Sequence, residues 1–425
     1  MKKKKAPLVR RMKEFVKTSV VWGPLDHNLF FTIIFLNVYG IIMVYSASYN
    51  NSITKNYSYF MNNQLKNVIF GFVIMIVASY VNYHRIVRLG WGWFWLLAAV
   101  AIIAALKTPL AHSELGATRW IKLGPVSFQA AEPIKAAIII FFAYYVSYWG
   151  LNRWYNQLLA CLLAIALLGF LFFFSNNLST VIVLFCICAV IILSSVKKPD
   201  LYWYFLLGLA LIIIAAIFVT VYLLMHQGAE NFRFVRIRAW LHPEEYAADE
   251  GLQAMQARYA IGAGGFWGKG LGQSLIKFKL SYSYNDFILA IICEELGVFG
   301  VIVMMTLFGY LLYRIYKIAQ NAWDIEGKVL AIGVFTQIAL QLLINVMVVT
   351  SVIPTTGVTL PFFSAVGTSV VFLLAELGMV LNVDKYAKER RFFEEAERHV
   401  AQMEQRGGIG AAGWRRRLDS ARTRR

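Results

Sequence analysis

The sequence predicts an all-α, polytopic integral membrane protein with about ten transmembrane helices, both termini cytoplasmic and one large extracytoplasmic loop. Composition is the first reason. Of 425 residues, 59% are hydrophobic and 15% charged, with a mean hydropathy of +0.60, which is too apolar for a soluble domain and too long for a single anchor. The recurrence of apolar runs is the second reason, and the placement of basic residues between them is the third.

The apolar runs give the spans. A transmembrane helix needs roughly 20 mostly apolar residues, and the runs of this kind cover residues 28–46, 67–82, 91–107, 133–149, 156–174, 178–195, 201–225, 286–313, 328–350 and 361–383. Because their number is even, both ends lie on one side of the membrane. We therefore predict a basic N-terminal segment (1–27), a transmembrane domain (28–383) and a basic tail (384–425) that is largely disordered.

Basic residues identify the side. The head of the chain is rich in Lys and Arg, and loops 84–88, 197–198 and 314–317 place further bases on the same face. The positive-inside rule makes that face cytoplasmic. The formal net charge of +18, concentrated in the two ends, is typical of segments that lie against anionic lipid, and no nucleic-acid partner is expected.

The opposite face then carries the only long loop, residues 226–285. Its Arg and Lys residues alternate with aromatic residues, a mixture that could hold an anionic lipid at headgroup level or serve only as an interfacial anchor. Its glycine cluster, 262–270, is not a P-loop, because Ala263 and Gly270 stand where Gly and Ser or Thr are required. The cluster either offers backbone N–H groups to a phosphate beside Lys269 or forms a bent re-entrant segment.

Asp286 directly precedes the apolar run of the eighth span. One interpretation is that it or Asn285 caps the helix. The other is that Asp286 is a carboxylate at a dry interface that takes a proton from a hydroxyl nucleophile. The residues alone leave both open.

Other charged residues lie at the edges of spans or within them. Glu132 and Lys135 are one turn apart at the start of the fourth span, residues 294–295 are both Glu, and Glu376 is inside the tenth span. Such charges are strongly destabilising in a bilayer unless they pair with one another or face a wet cavity. Internal pairing and a functional cavity are both compatible with the sequence. The scattered Cys and His residues predict neither a disulfide framework nor a zinc site.

Four separated blocks carry a resemblance to a known family. They are RWIKLG (119–124) followed by QAAEPIK (129–135), the block 251–272, NDF (285–287) with EELG (294–297), and PTTGVTLPF (354–362) with Ser364 and GTS (367–369). In this order and spacing they resemble the SEDS glycosyltransferases of cell-wall assembly, FtsW and RodA. The eighth-span and 354–361 blocks look closer to the FtsW branch, which acts in cell division.

The resemblance implies a hexosyltransferase of the bacterial cytoplasmic (inner) membrane whose site faces the periplasm. Such enzymes join the disaccharide-peptide units of lipid II, carried on undecaprenyl pyrophosphate, into glycan strands. Asp286 falls on the essential aspartate of the family, which implies a general base on the acceptor 4-hydroxyl. The substrate-binding positions it implies are Arg119, Lys122, Glu132, Lys135, Arg236, Arg238, Gln253, Gln256, Lys269, Thr355 and Ser364.

The resemblance also implies partners. A single-span class B penicillin-binding protein, an FtsI-like transpeptidase, is expected beside this bundle, together with other divisome membrane proteins. No covalently bound cofactor is expected, and a divalent cation, Mg or Mn, could bridge Asp286 and the pyrophosphate. The chain departs from the family at Tyr282, where a Glu is usual shortly before the aspartate. The alternatives are a RodA-type elongation polymerase, a lipid II flippase and a scaffold without catalysis.

Overall fold

The computed structural model describes residues 21, 23–48, 59–109, 111–114, 117–123, 126–175, 177–196, 232–246, 251–280, 283–365, 367–405 and 414–415. Its helices are α1 (His27–Ser48), α2 (Tyr59–Tyr80), α3 (Tyr83–Val87), α4 (Trp93–Ala105), α5 (Ala131–Trp149), α6 (Trp154–Ser175), α7 (Leu178–Ser195), α8 (Phe232–Leu241), α9 (Leu252–Gly264), α10 (Ile288–Gln320), α11 (Ile325–Val349) and α12 (Thr368–Gln405). Short 3₁₀ turns cover Leu89–Gly92 and Ile276–Phe278.

The helices confirm the predicted class. Among the described residues, α1, α2, α6, α7, α10 and α11 are long and apolar enough to cross a membrane. Each predicted span overlaps a helix except 201–225, which lies outside the described residues. The number ten therefore stays a prediction. Some bounds differ from the prediction. Helix α2 begins at Tyr59 and not at residue 67, and α12 begins at Thr368 and not at residue 361.

The bundle is built around α5 and α11. Helix α5 is buried on nearly every side from Ile134 to Val146, as expected for an inner helix that is hydrophobic all round. Helix α11 packs against α5, α7, α10 and α12. Both helices therefore carry their polar residues into the interior of the protein.

Small residues allow α2 and α12 to approach closely. A Cβ added at Gly378 would lie 2.5 Å from the Met75 carbonyl oxygen, and one at Gly71 would lie 2.6 Å from Leu374 Cδ1. Close backbone approach at small residues is a main source of helix association in membranes, where the hydrophobic effect does not act between helices.

Helix α10 is interrupted at Gly297, whose φ of 64° and ψ of −163° are not helical. The glycine cluster packs into this break through backbone hydrogen bonds. The N–H groups of Lys269 and Gly270 donate to the carbonyls of Glu294 and Glu295, both at 2.9 Å. A Cβ at Gly268 would lie 2.2 Å from the Glu295 oxygen. These contacts favour the bent re-entrant segment of the two interpretations, because the N–H groups of Lys269 and Gly270 already donate to carbonyls of α10.

The segment predicted as a long loop contains the helices α8 and α9. On α9 the small residues Ala254, Ala257, Ala260 and Gly264 are buried, and this helix packs on α10. A Cβ at Gly264 would lie 1.8 Å from the Cys293 carbonyl oxygen, so α9 and α10 meet backbone to backbone.

A small antiparallel sheet lies between α4 and α5, and the all-α prediction missed it. Its strands are β1 (Ala111–Glu114), β2 (Ala117–Leu123) and β3 (Val126–Gln129), in the order β1-β2-β3. Trp120 pairs with Gln129 and Ile121 with Phe128. The sheet leads directly into the first turn of α5, where Glu132 lies.

The loops that the charge pattern placed together do meet. His84 Nε2 lies 2.6 Å from Asp324 Oδ2, Arg314 contacts Asp26, and the Val21 N–H donates to the Tyr80 carbonyl. We call this end of the bundle the basic face, defined by the described residues within 21–26, 81–92, 314–328 and 382–391. The opposite face is defined by the described residues within 111–132, 265–286 and 351–367. Residues 197–198 lie outside the described residues.

The tail differs from the prediction. Helix α12 does not end with the span but continues to Gln405, so residues 384–405 are helical and the prediction of a largely disordered tail is wrong for them. At 1.5 Å per residue the helix is about 57 Å long, far longer than a bilayer core of about 30 Å. It therefore projects beyond the membrane at the basic face.

Candidate active site

Asp286 lies in the turn 283–287 on the opposite face, directly before α10. The N-cap position of α10 is Phe287, and it makes no side-chain cap. Asp286 is therefore not the N-cap residue of α10. The Asp286 side chain is half-buried. The turn thus presents a carboxylate at the edge of the bundle.

Several hydrogen bonds fix the backbone of this turn. Ser364 Oγ donates to the Asn285 carbonyl (3.0 Å) and accepts from the Leu360 N–H (2.9 Å). The Ala365 N–H donates to the Tyr284 carbonyl (3.0 Å). Ser364 is only 4% exposed. Its hydroxyl therefore supports the backbone of the turn, and its predicted role in substrate binding stays a prediction.

Asn345 on α11 joins the turn to the block 354–362. Its Nδ2 donates to the carbonyls of Asp286 and Val358, each at 2.9 Å, and the side chain is 1% exposed. Buried carbonyls that lose their donor are strongly destabilised. One amide therefore holds two segments in a fixed relation.

Asn345 belongs to a polar stripe that the sequence analysis missed. Gln337, Gln341 and Asn345 follow one another at four-residue spacing on α11 and so share one helix face. Gln337 Nε2 donates to Glu376 Oε2 at 2.9 Å. Amides repeated every four residues inside an apolar run were the signal that could have found this stripe.

The predicted pair Glu132 and Lys135 lines a cleft beside this stripe. Lys135 Nζ lies 2.8 Å from Glu132 Oε1, and both residues are buried. The cleft is also lined by Gln341, Val358 and Thr359. Asn345 donates hydrogen bonds to the carbonyls of both Val358 and Asp286. The same side chain therefore supports the cleft and the Asp286 turn. The expected internal pairing of Glu132 with Lys135 is confirmed.

The two other buried carboxylates in α10 are also paired. Glu294 Oε1 accepts from Lys269 Nζ at 2.8 Å, and Glu295 Oε1 lies 3.5 Å from Lys277 Nζ. Ser46 donates to Glu295 Oε2 at 2.5 Å. These pairs tie the segment 269–277 to the break in α10, as the internal-pairing interpretation predicts. Lys269 is held by a carboxylate, with its side chain 32% exposed.

The remaining predicted residues lie on several elements. Arg119 and Lys122 are in β2, Arg236 and Arg238 in α8, and Gln253 and Gln256 in α9. Thr355 is half-buried in the segment between α11 and α12, and Lys122 is exposed. The predicted binding residues are therefore distributed over β2, α8, α9 and the segment after α11.

Helix α8 is anchored near the block 354–362. Trp240 Nε1 donates to the Ser351 carbonyl at 2.9 Å, and Ser351 has a positive φ of 61°. Arg238 is two residues before this anchor and half-buried. The anchor places α8, with its arginines, at the end of α11 that carries Asn345.

A metal ion at Asp286 would need oxygen ligands from a bound substrate or from water. In the described part of the chain, no group of three or more His, Cys, Asp or Glu side chains could hold a metal ion. Oxygen-ligand cations such as Mg²⁺ often take most of their ligands from water and substrate phosphates. A cation at Asp286 would therefore rely on the pyrophosphate and on water.

The fold and the site together define a multi-pass membrane protein with a buried polar cleft at one face. Solved structures share this fold. A chain of a complex described as "Structural coordination of polymerization and crosslinking by a peptidoglycan synthase complex" matches with a TM-score of 0.71 at 22% identity, covering 86% of this chain and 99% of that one. The rod shape determining protein RodA of Thermus thermophilus matches with a TM-score of 0.61 at 22% identity, covering 86% of this chain and 98% of RodA.

Sequence relatives identify the family. Residues 26–389 match the FtsW/RodA/SpoVE family, described as cell cycle protein. A probable peptidoglycan glycosyltransferase FtsW of Trichlorobacter lovleyi is 31% identical over 382 residues, which is 88% of this chain and 96% of the relative. Stage V sporulation protein E of Bacillus subtilis is 33% identical over 370 residues, which is 84% of this chain and 96% of the relative. The chain belongs to the FtsW/RodA/SpoVE family.

Proposed function

We propose that this protein is a peptidoglycan glycosyltransferase that polymerises lipid II into glycan strands on the outer side of the bacterial cytoplasmic membrane. Family membership and the names of the relatives support this proposal. The single observation in the structure that carries the mechanism is the fixation of the Asp286 turn by Asn345 and Ser364. A general base must be held within hydrogen-bond reach of the proton it removes.

In the proposed reaction, the 4-hydroxyl oxygen of the acceptor sugar attacks the anomeric carbon of the donor. A new glycosidic C–O bond forms while the bond from that carbon to the pyrophosphate oxygen breaks. The hydroxyl proton passes to Asp286, and undecaprenyl pyrophosphate leaves with the electron pair. A base is useful here because a neutral hydroxyl is a weak nucleophile.

Negative charge grows on the departing pyrophosphate, and fixed cations stabilise it. We assign this role to Lys135, Arg119, Lys122, Arg236, Arg238 and Lys269. Lys135 is the best supported of them. It lines the cleft together with Val358, and Asn345 donates to the carbonyls of both Val358 and Asp286. Glu132 holds its ammonium group at 2.8 Å. The role of Arg236 and Arg238 is supported by the hydrogen bond from Trp240 that anchors α8 near the end of α11.

Substrate contacts on α9 and beyond complete the proposal. Gln253 and Gln256 lie three residues apart on α9, and Gln256 Oε1 is a buried oxygen with no described hydrogen-bond partner. Thr355 lies in the segment that follows α11. Asp286 is the residue that would hold a Mg or Mn ion, which would supply positive charge beside the leaving group.

We propose a division role and a transpeptidase partner. Relatives named FtsW support septal synthesis over the elongation role of RodA, and residues 26–389 match a family described as cell cycle protein. A solved chain of the same fold comes from a synthase complex that coordinates polymerization with crosslinking. A class B penicillin-binding protein, and with it other divisome membrane proteins, is the partner we infer.

The test is a polymerisation assay. Purified protein with its transpeptidase partner is incubated with labelled lipid II, and wild type is compared with Asp286→Asn. We expect glycan polymer from the wild type and none from the variant. If the variant instead polymerises normally, Asp286 is not the base. If neither forms polymer while both move lipid II between leaflets, the protein is a flippase.

A further inference from the structure

A sizeable cavity lies at the basic face, at the end of the bundle opposite to the proposed chemistry. Its volume is about 590 Å³, within the usual range of small-molecule sites. It is lined by the end of α5, the start of α11 and the residue that follows α3, through the side chains of Arg88, Tyr144, Ser147, Tyr148, Asp324 and Glu326. None of these residues takes part in the proposed glycosyl transfer.

The cavity contains both signs of charge side by side. Arg88 donates from Nε and Nη2 to Glu326 Oε1, at 3.0 and 2.9 Å, and Ser147 Oγ donates to the same oxygen at 2.9 Å. The Arg88 side chain is 62% exposed, whereas that of Glu326 is 4% exposed. Nη1 of Arg88 takes no part in these bonds, so the guanidinium keeps donors for an anion.

One of the two cavity carboxylates is not fully satisfied from within the described residues, whereas the other, Asp324, accepts from Tyr83, His84 and Gly327. Glu326 Oε2 is buried and has no hydrogen-bond partner among the described residues, and His84 Nε2 lies 3.7 Å from it. A buried carboxylate oxygen without a donor is destabilising. Asp324 supplies a second carboxylate to the same cavity. An incoming ammonium group would meet this need.

Aromatic side chains place the cavity at the level of the membrane surface. Tyr144 and Tyr148 stack with centroids 5.4 Å apart and an interplanar angle of 11°. Tyr148, Trp149 and Trp323 are exposed by 66%, 48% and 38%. Exposed Tyr and Trp at helix ends are typical of the interface between bilayer and water. The basic residues of this face put that interface on the cytoplasmic side.

We propose that this cavity binds the headgroup of a phosphoethanolamine lipid from the cytoplasmic leaflet. The ammonium group lies against Glu326 and Asp324 beside the Tyr144 and Tyr148 rings, and the phosphate lies against Arg88. Two methylene groups separate the ammonium and the phosphate of this headgroup. This short separation matches the adjacent positions of Glu326 and Arg88, which are in direct contact. An anionic headgroup would face both carboxylates, and a quaternary choline could not donate a hydrogen bond to them.

The test is a lipid titration of the full-length protein in detergent, followed by native mass spectrometry. Phosphatidylethanolamine, phosphatidylcholine and phosphatidylglycerol with identical acyl chains are compared, and glycerophosphoethanolamine serves as the headgroup without a membrane anchor. We expect phosphatidylethanolamine to bind at least about tenfold more tightly than the other two lipids, as one charge-assisted hydrogen bond suffices for such a ratio. The free headgroup should bind weakly, because it lacks the interfacial contact.

Variants locate the site. Glu326→Gln and Tyr148→Ala should each remove most of the preference for phosphatidylethanolamine. Tyr313→Ala should not, since Tyr313 is another exposed tyrosine (53%) on α10 outside the cavity. If Glu326→Gln does not fold, Tyr148→Ala decides. Equal binding of all three lipids to the wild type, or a preference that survives Tyr148→Ala, overturns the proposal. Tight binding of the free headgroup would show a soluble ligand and overturn the lipid assignment.

Discussion

Substituting Asn345 with alanine should slow polymerisation strongly as well as lower the stability of the fold. The change removes two donated hydrogen bonds of 2.9 Å, to the carbonyls of Asp286 and Val358. A buried carbonyl that loses its donor costs about 1–3 kcal/mol, so we expect roughly 2 kcal/mol or more of lost stability. The larger effect is on position, because a shift of about 1 Å at a catalytic group can slow a reaction about 100-fold.

The assay combines the initial rate of polymer formation with the unfolding temperature. We expect the polymerisation rate of Asn345→Ala to fall about 10- to 100-fold with little change in the concentration dependence on lipid II. Asn156→Ala is the matched control. Asn156 Nδ2 also donates to two carbonyls, those of Trp149 (2.8 Å) and Gly150 (3.0 Å), near the basic face. It should lose comparable stability and keep its activity. Equal loss of activity in both variants would refute the positioning role of Asn345.

Two further predictions concern the backbone and the basic face. Gly268→Ala should lower the unfolding temperature strongly, because φ is +79° and the added Cβ would lie 2.2 Å from the Glu295 oxygen. Gly262→Ala, where nothing lies within 4 Å of the added Cβ, should be neutral, and similar losses in the two variants would contradict the packing described for the glycine cluster. Burial raises the pKa of Asp324, but hydrogen bonds from His84 and Gly327 outweigh it and the pKa lies below its usual value. A depressed pKa stabilises the folded state above the unfolded pKa of the group, and this contribution is lost as pH falls through the folded value. Asp324→Asn should therefore lower the unfolding temperature at neutral pH and flatten its decline in acid, and an unchanged acid profile would contradict this.

The sequence predicted the bundle well because spans are a matter of composition and length. Apolar runs of about 20 residues have few alternatives in a bilayer, and the basic loops that should share a face do meet at His84, Asp324 and Arg314. Helix α12 was underestimated because its charged second half resembles a disordered tail in composition. The sheet was missed because β2 and β3 are short and lie between long apolar runs.

The candidate site was predicted only in part. Asp286 and the pair Glu132 and Lys135 were singled out in the sequence because a charge at the edge of a span demands an explanation, and their roles stay predictions. Asn345 was missed, since neutral amides in an apolar helix attract less attention than a charge and their four-residue repeat was overlooked. The glycine cluster was left open between two interpretations because glycine permits close approach to any backbone, and here N–H groups of the cluster donate to carbonyls of the broken helix α10. Contacts between distant segments decided each of these points.

The central claim is that Asp286 removes the proton from the acceptor hydroxyl. The most direct measurement is the single-turnover rate of glycosidic bond formation by the purified complex, with lipid II affinity measured on the same samples. For Asp286→Asn we predict a rate at least about 100-fold lower and an affinity close to that of the wild type. Asp384→Asn, the same chemical change at the basic face, should leave both unchanged. A rate for Asp286→Asn within about threefold of the wild type would contradict the claim, since general-base catalysis contributes at least about 100-fold.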